Sequence, residues 1–214
     1  MEMTSPTGRW PAGSQGSPHP LARIEHWIFD MDGTLTIAAH DFVAIKRALD
    51  IAAHEDILDH LAALPSAQQQ AKRAWLFEHE AGLARASRQA PGAVPLLRAL
   101  HARSCRLGIL TRNDHALAKL TLDAIGVGDL FDDDHIIGRD EADPKPSPAG
   151  IHRHLDRWQL GPAQAVMVGD HRMDLAAGRA AGTHTVLVNT LGDPWPGMAD
   201  WRFADCAALR AALG

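Results

Sequence analysis

The sequence predicts an α/β fold, a mostly parallel sheet flanked by helices on both faces, with a small all-helical insertion directly after the first strand. Two observations carry this reading. From Ala93 onward, short continuous apolar runs alternate with segments of helical period, the pattern of strands buried on both faces and joined by crossover helices. Between Thr36 and Ala90 no such run occurs. The apolar positions there recur at helical spacing, as Ile57, Leu58, Leu61 and Leu64 and again as Trp75, Leu76 and Leu83, with His79 in the same row.

Taken in order, Ile24 to Phe29 is a short apolar run that reads as the first, buried strand. Within the insertion, Pro65-Ser66 marks a helix start, and Pro91-Gly92 closes the segment. Val94 to Ala102 is a helix and Leu107 to Leu110 a strand. The next helix runs from Asp114 to Ile125, capped by Asn113 or Asp114 and stopped at Gly126. Ile136-Ile137 is a short strand. Ser147 is placed to cap a helix with Pro148 at its first position, running to about Trp158. Ala165 to Val168 is a strand, Leu175 to Ala181 a helix ending at Gly182, Thr185 to Val188 a strand, and Ala207 to Leu213 the last helix. Trp195 and Trp201 are expected to cover the sheet edge. The expected division is a disordered tail over 1–22, a discontinuous core over 23–36 and 91–214, and the helical insertion over 37–90.

At 214 residues the chain suits one domain with an elaboration. Its net charge of −5 and lack of a basic stripe argue against a nucleic-acid or anionic-membrane partner. No apolar run approaches the roughly 18 residues that span a bilayer. Met1 to Pro20 is rich in Pro, Gly and Ser without an apolar stretch, so it reads as a disordered tail and not a signal peptide. Cys105 and Cys206 make neither a disulfide framework nor a zinc pattern, and a reducing cytoplasm is the expected location. Cys105, just before a strand, reads as a small buried hydrophobe. The 13 histidines show no metal-ligand spacing: His152 and His154 face different ways on their helix, and there is no His-Glu-x-x-His. No pattern specifies an oligomeric state.

The chemistry lies at the strand ends. Asp30 and Asp32 stand at the carboxyl end of the first strand with Gly33 behind them, where the reaction crevice of an open α/β sheet opens. Two carboxylates there can hold a cation, attack an electrophile or move a proton. Thr111 ends the second strand, ahead of Arg112 and Asn113. Lys145 lies between Pro144 and Pro146, and the strand Val166 to Gly169 ends in Asp170, with Asp174 one helical turn further on. Taken singly these are a helix cap, a loop lysine and an acidic first turn.

Together and in this order, Phe29-Asp30-Met31-Asp32-Gly33-Thr34-Leu35-Thr36, Leu107 to Asn113, Asp143-Pro144-Lys145-Pro146-Ser147-Pro148 and Val166 to Asp174 resemble the four motifs of the haloacid-dehalogenase-like superfamily of phosphohydrolases. The resemblance spans Ile24 to about Val188 and implies a Rossmann-like core with a C1-type helical cap. It implies Asp30 as the nucleophile that forms an aspartyl-phosphate, and Asp32 as the acid and base that serves the leaving alkoxide and then the attacking water. The implied cofactor is Mg²⁺, which prefers hard oxygens and retained waters. Asp30, the Asp32 carbonyl and Asp170 would form its shell, with Asp174 facing it directly or through water. Thr111 and Lys145 would hold the transferring phosphate oxygens, and Arg112 or Asn113 would add a donor.

An Asp at position 32 points to a phosphatase or phosphomutase, since dehalogenases and transport ATPases of similar motif lack an acid there. Thr36 to Asp41 departs from the acidic pattern of the phosphoglucomutase-like branch. The expected activity is therefore hydrolysis of a small phosphorylated metabolite, with phosphoglycolate phosphatase the nearest-looking branch. A sugar phosphomutase and a non-catalytic binding module on the same fold are the alternatives. His40, Arg73 and His79 are the candidate cap contacts to substrate.

Overall fold

The computed structural model describes residues 19–38 and 42–214. Its centre is a six-stranded, wholly parallel sheet in the order β3-β2-β1-β4-β5-β6. The strands are β1 (His26–Phe29), β2 (Arg106–Leu110), β3 (Ile136–Ile137), β4 (Ala165–Gly169), β5 (His184–Leu187) and β6 (Trp201–Arg202). β1 is central: Phe29 aligns with Ile109 on one side and with Val168 on the other. The chain reverses direction of travel across the sheet on either side of β1, which makes the carboxyl end of that strand the topological switch point.

The strand residues are apolar throughout because both faces are covered. Trp27, Phe29, Ile109, Val166 and Val168 point into one apolar cluster, which α4 (Ala93–Ala102), α5 (His115–Ala124) and α8 (Cys206–Leu213) complete. Ile28, Leu110 and Met167 point the other way, against α6 (Ala149–Trp158) and α7 (Arg172–Ala181). Helix ends follow ordinary capping chemistry. Asp114 accepts from the Ala116 and Leu117 amides at the start of α5, which settles the cap between the two candidates. α7 begins at Arg172, three residues before the expected start, because the His171 ring and the Asp174 carboxylate cap it reciprocally. Pro148, not Ser147, occupies the N-cap position of α6.

On one face a glycine makes room for a large neighbour. A Cβ at Gly108 would lie 2.6 Å from the His154 ring, and that ring is fully buried with its Nε2 donating to the Ile109 carbonyl at 3.0 Å.

The insertion is helical: α1 (Phe42–Ala48), α2 (Ile57–Ala62) and α3 (Ser66–Arg85). It holds a small apolar cluster of its own, made of Ile45, Leu49, Ile51, Leu61 and Leu76. Its two ends are stitched together. Thr36 pairs antiparallel with Gln89, the Ile37 amide donates to the Arg88 carbonyl at 2.9 Å, and the Ala90 amide donates to the Leu35 carbonyl at 2.8 Å. α3 also rests on α5.

Two expectations need correction. The tail was drawn through residue 22, yet Leu21 is fully buried in the main core and His19 makes edge contacts with Trp201 and Phe203 at 5.8 Å. Residues 19–22 therefore pack on the core, because a leucine follows the Pro-rich stretch. The rest of that expectation, residues 1–18, and the candidate contact His40 lie outside the described residues. Trp201 does more than cover the sheet edge: with Arg202 it forms β6, pairing with Val186 and Leu187.

Candidate active site

The strand order gathers four sequence segments at one end of the sheet. Asp30 leaves β1 with 8% of its surface exposed. Lys145, at 5% exposure, reaches it from the Pro-flanked loop. The Lys145 ammonium donates to Asp30 Oδ1 and, at 2.7 Å, to Asp174 Oδ1. Asp174 is almost wholly buried, and its second oxygen accepts from the His171 amide at 3.0 Å. Both of its oxygens are thus engaged, which suits a residue that fixes the lysine and the loop.

Thr34, one turn past Asp30, ties the carboxylates together. Its hydroxyl lies 2.8 Å from Asp170 Oδ1 and 3.2 Å from Asp30 Oδ2. The approach is close enough to require glycine. Gly33 has φ +88°, and a Cβ there would sit 2.4 Å from the Asp170 carboxylate. Gly169 serves the same end, since its Cβ would fall 2.3 Å from Asp174.

Asp30, Asp170 and Asp174 bring their oxygens within 4.8 Å of one another. Against three carboxylates stands the single Lys145 ammonium. Burial, and then the charge of Asp30, push Asp170 and Asp174 up to about 6. Burial alone would lower the Lys145 ammonium, but Asp30 and Asp174 outweigh it and the net effect is upward. An excess of buried negative charge on hard oxygen donors, with no histidine or thiol among them, fits a Mg²⁺-like cation. Asp32 is half-buried, and its backbone bridges to Thr36.

On the β2 side, Thr111 and Asn113 are buried at 3% and 8% exposure. The Thr111 hydroxyl accepts from the Asn113 amide at 3.0 Å, which leaves its own hydrogen to donate to an anion. Arg112, between them, is exposed and is not drawn into this buried group. The structure thus brings together Asp30, Lys145, Asp170 and Asp174, and places Thr111 and Asn113 at the end of the adjoining strand. In the insertion, Arg73 is exposed, and His79 is half-buried with its ring stacked on Trp75 at 5.1 Å. The sequence reading gave no role to Thr34, though its place one turn beyond Asp30 was a usable signal. Asn189 and Thr190, described below, carried none.

The sequence and the fold match known proteins. The model of the haloacid dehalogenase-like hydrolases matches residues 24–182. An uncharacterized hydrolase of Saccharomyces cerevisiae is 30% identical over 179 residues, covering 82% of this chain and 80% of that one. A phosphoglycolate phosphatase of Rhodospirillum rubrum is 39% identical over 100 residues, which are 46% of this chain and 41% of that protein's length. The predicted phosphoglycolate phosphatase of Haemophilus somnus superposes with a TM-score of 0.72 at 22% identity, over 90% of this chain and 99% of that one. The chain belongs to the haloacid dehalogenase-like hydrolases. Among the described residues no helix is long and apolar enough to cross a membrane.

Proposed function

We propose that the protein is a Mg²⁺-dependent phosphatase that hydrolyses a small phosphorylated metabolite through an aspartyl-phosphate on Asp30. The observation that carries the proposal is the buried strand-tip carboxylate of Asp30, held by Lys145 on one oxygen and beside Thr34 on the other. A carboxylate fixed in this way presents an oxygen to phosphorus with little freedom left to lose on reaction. Asp32 is close in sequence yet only half-buried, which suits a group that must give a proton to the leaving alkoxide and later take one from water.

The cation would sit among Asp30, the Asp32 carbonyl and Asp170, and when bound it would supply charge neutralisation to the phosphoryl oxygens. Asp174 would act one step removed, fixing Lys145. The Lys145 ammonium and the Thr111 hydroxyl would hold the transferring oxygens, with the Asn113 side chain as a further donor. For the substrate, the stretch shared with the Rhodospirillum rubrum enzyme favours a small phosphorylated acid of the phosphoglycolate kind. The N-acetylmuramic acid 6-phosphate phosphatase of Pseudomonas aeruginosa, 28% identical over 78% of this chain, makes sugar phosphates the second group to test.

The test is phosphate release from a panel of small phosphorylated acids and sugars, with Mg²⁺ and with excess chelator. Turnover that depends on Mg²⁺ is expected. Full turnover in chelator would remove the metal from the proposal, and no release from any ester would remove the activity.

A further inference from the structure

We propose that Asn189 and Thr190, which follow β5, are positioning residues that lock the nucleophile loop to the metal-bearing loop. The inference rests on the phosphatase reading above and adds to it a part of the machinery outside its four sequence motifs.

The geometry is specific. The Asn189 side-chain amide donates to two successive carbonyls of the nucleophile loop, Gly33 at 2.8 Å and Thr34 at 2.9 Å. The next residue turns the other way: the Thr190 hydroxyl lies 2.8 Å from the Asp170 carbonyl and 3.2 Å from that of Val188. Adjacent residues thus grip the two loops that carry Asp30 and Asp170. Asn189 holds φ +57° to do so, a conformation that asparagine tolerates better than most residues. The gripped loops have no slack, since Gly33 lies against the Asp170 carboxylate and Thr34 bridges Asp30 and Asp170. A slip of the Gly33–Thr34 carbonyls would move the Thr34 hydroxyl and the Asp30 carboxylate together relative to Asp170. Misplacement of about 1 Å in such a site can cost on the order of a hundredfold in rate.

The test uses Asn189→Gly, which keeps the positive φ accessible while removing the amide, and Thr190→Val, which removes only the hydroxyl. Thr190→Ser restores it. Steady-state kinetics on a small aryl phosphate are read beside Mg²⁺ binding by calorimetry, which needs no turnover, and beside the melting temperature of the metal-free protein.

For Asn189→Gly and Thr190→Val we expect kcat to fall about tenfold or more, with KM within about twofold and Mg²⁺ binding weakened several-fold. The melting temperature should hold within a few degrees, and Thr190→Ser should behave as the parent. Parental kcat and Mg²⁺ binding in both variants would overturn the inference. So would losses that follow the melting temperature alone and are not restored by serine. If the parent chain releases no phosphate, the phosphatase reading fails. Calorimetry then decides the lock by itself, and unchanged or absent Mg²⁺ binding across the set would overturn it too.

Discussion

Glu80 on α3 and Arg139, two residues beyond β3, meet at 3.5 Å across the junction between the helical insertion and the sheet-bearing core, with side chains only 12% and 18% exposed. The Arg139 amide also donates to the Asn113 carbonyl at 2.9 Å. The ion pair therefore links the insertion to the loop that carries Thr111 and Asn113.

A shielded pair of this kind should show coupling. In a double-mutant cycle of Glu80→Gln and Arg139→Gln, followed by chemical denaturation, an interaction energy of about 0.5–3 kcal/mol is expected. Strict additivity would mean that the contact contributes nothing. If the insertion meets the part of the substrate that differs between esters, as proposed, the same variants should change KM for the preferred ester more than KM for a small aryl phosphate.

Asp30→Asn should leave a folded protein whose turnover falls by at least about a thousandfold, since the amide keeps the shape and loses the attacking oxygen. Phosphate release on an aryl phosphate, with circular dichroism as the control for folding, decides it. A folded variant with parental turnover would exclude Asp30 as the nucleophile.

The acidic cluster makes the effect of Mg²⁺ depend on pH. Asp170 and Asp174 are raised to about 6 from 3.8, first by burial and then by Asp30. The metal-free folded state therefore binds these protons more tightly than the unfolded chain does. Their contribution to stability is fully present below the unfolded value and is lost as pH rises through the folded value. A cation held by Asp30 and Asp170 would replace the proton on Asp170. The rise in melting temperature on adding Mg²⁺ should accordingly be small near about pH 4.5 and larger near about pH 7.5. An equal rise at both would show that the metal does not displace a proton from Asp170.

Gly108→Ala should destabilise the protein by about 1–3 kcal/mol in urea denaturation, because the added methyl meets the buried His154 ring at 2.6 Å. Gly108 lies within β2, away from the carboxyl end of the sheet where the acidic cluster gathers, so Mg²⁺ dependence should not change. A neutral substitution would mean that the ring moves freely.

The parallel sheet was legible because Ile28, Ile109 and Val168 belong to unbroken apolar runs, and only strands buried on both faces need those. β6 was not legible. Two residues, one of them Arg202, carry no period, and their pairing with β5 is decided by tertiary placement. Asp30, Thr111 and Asp170 could be placed from strand ends, whereas Lys145 and Asp174 stood out only within the four-part resemblance. Asn189 could not, for its partner Thr34 lies 155 positions away in the chain and is reached only because β5 lies beside β4 and β4 beside β1. Glu80 and Arg139, 59 positions apart, were hidden for the same reason. The role of Thr34 was legible in principle and was missed because a threonine after Asp-Gly looks like turn chemistry.

The paired neck formed by Leu35 to Ile37 and Arg88 to Ala90 separates two kinds of heredity. Since the ends of the insertion are held by each other, and since closing a longer loop costs only about 0.6 kcal/mol per doubling of its length, the segments between the neck and α3 can change in length without disturbing the strand tip at Asp30, as long as α3 keeps its seat on α5 and Glu80 its pairing with Arg139. On the proposed reading, in which the insertion meets the variable part of the ester, selection can reshape which ester is admitted while the reaction chemistry stays fixed. A chimera that carries another helical insertion on this neck would inherit its substrate preference from one parent and its phosphoryl chemistry from the other.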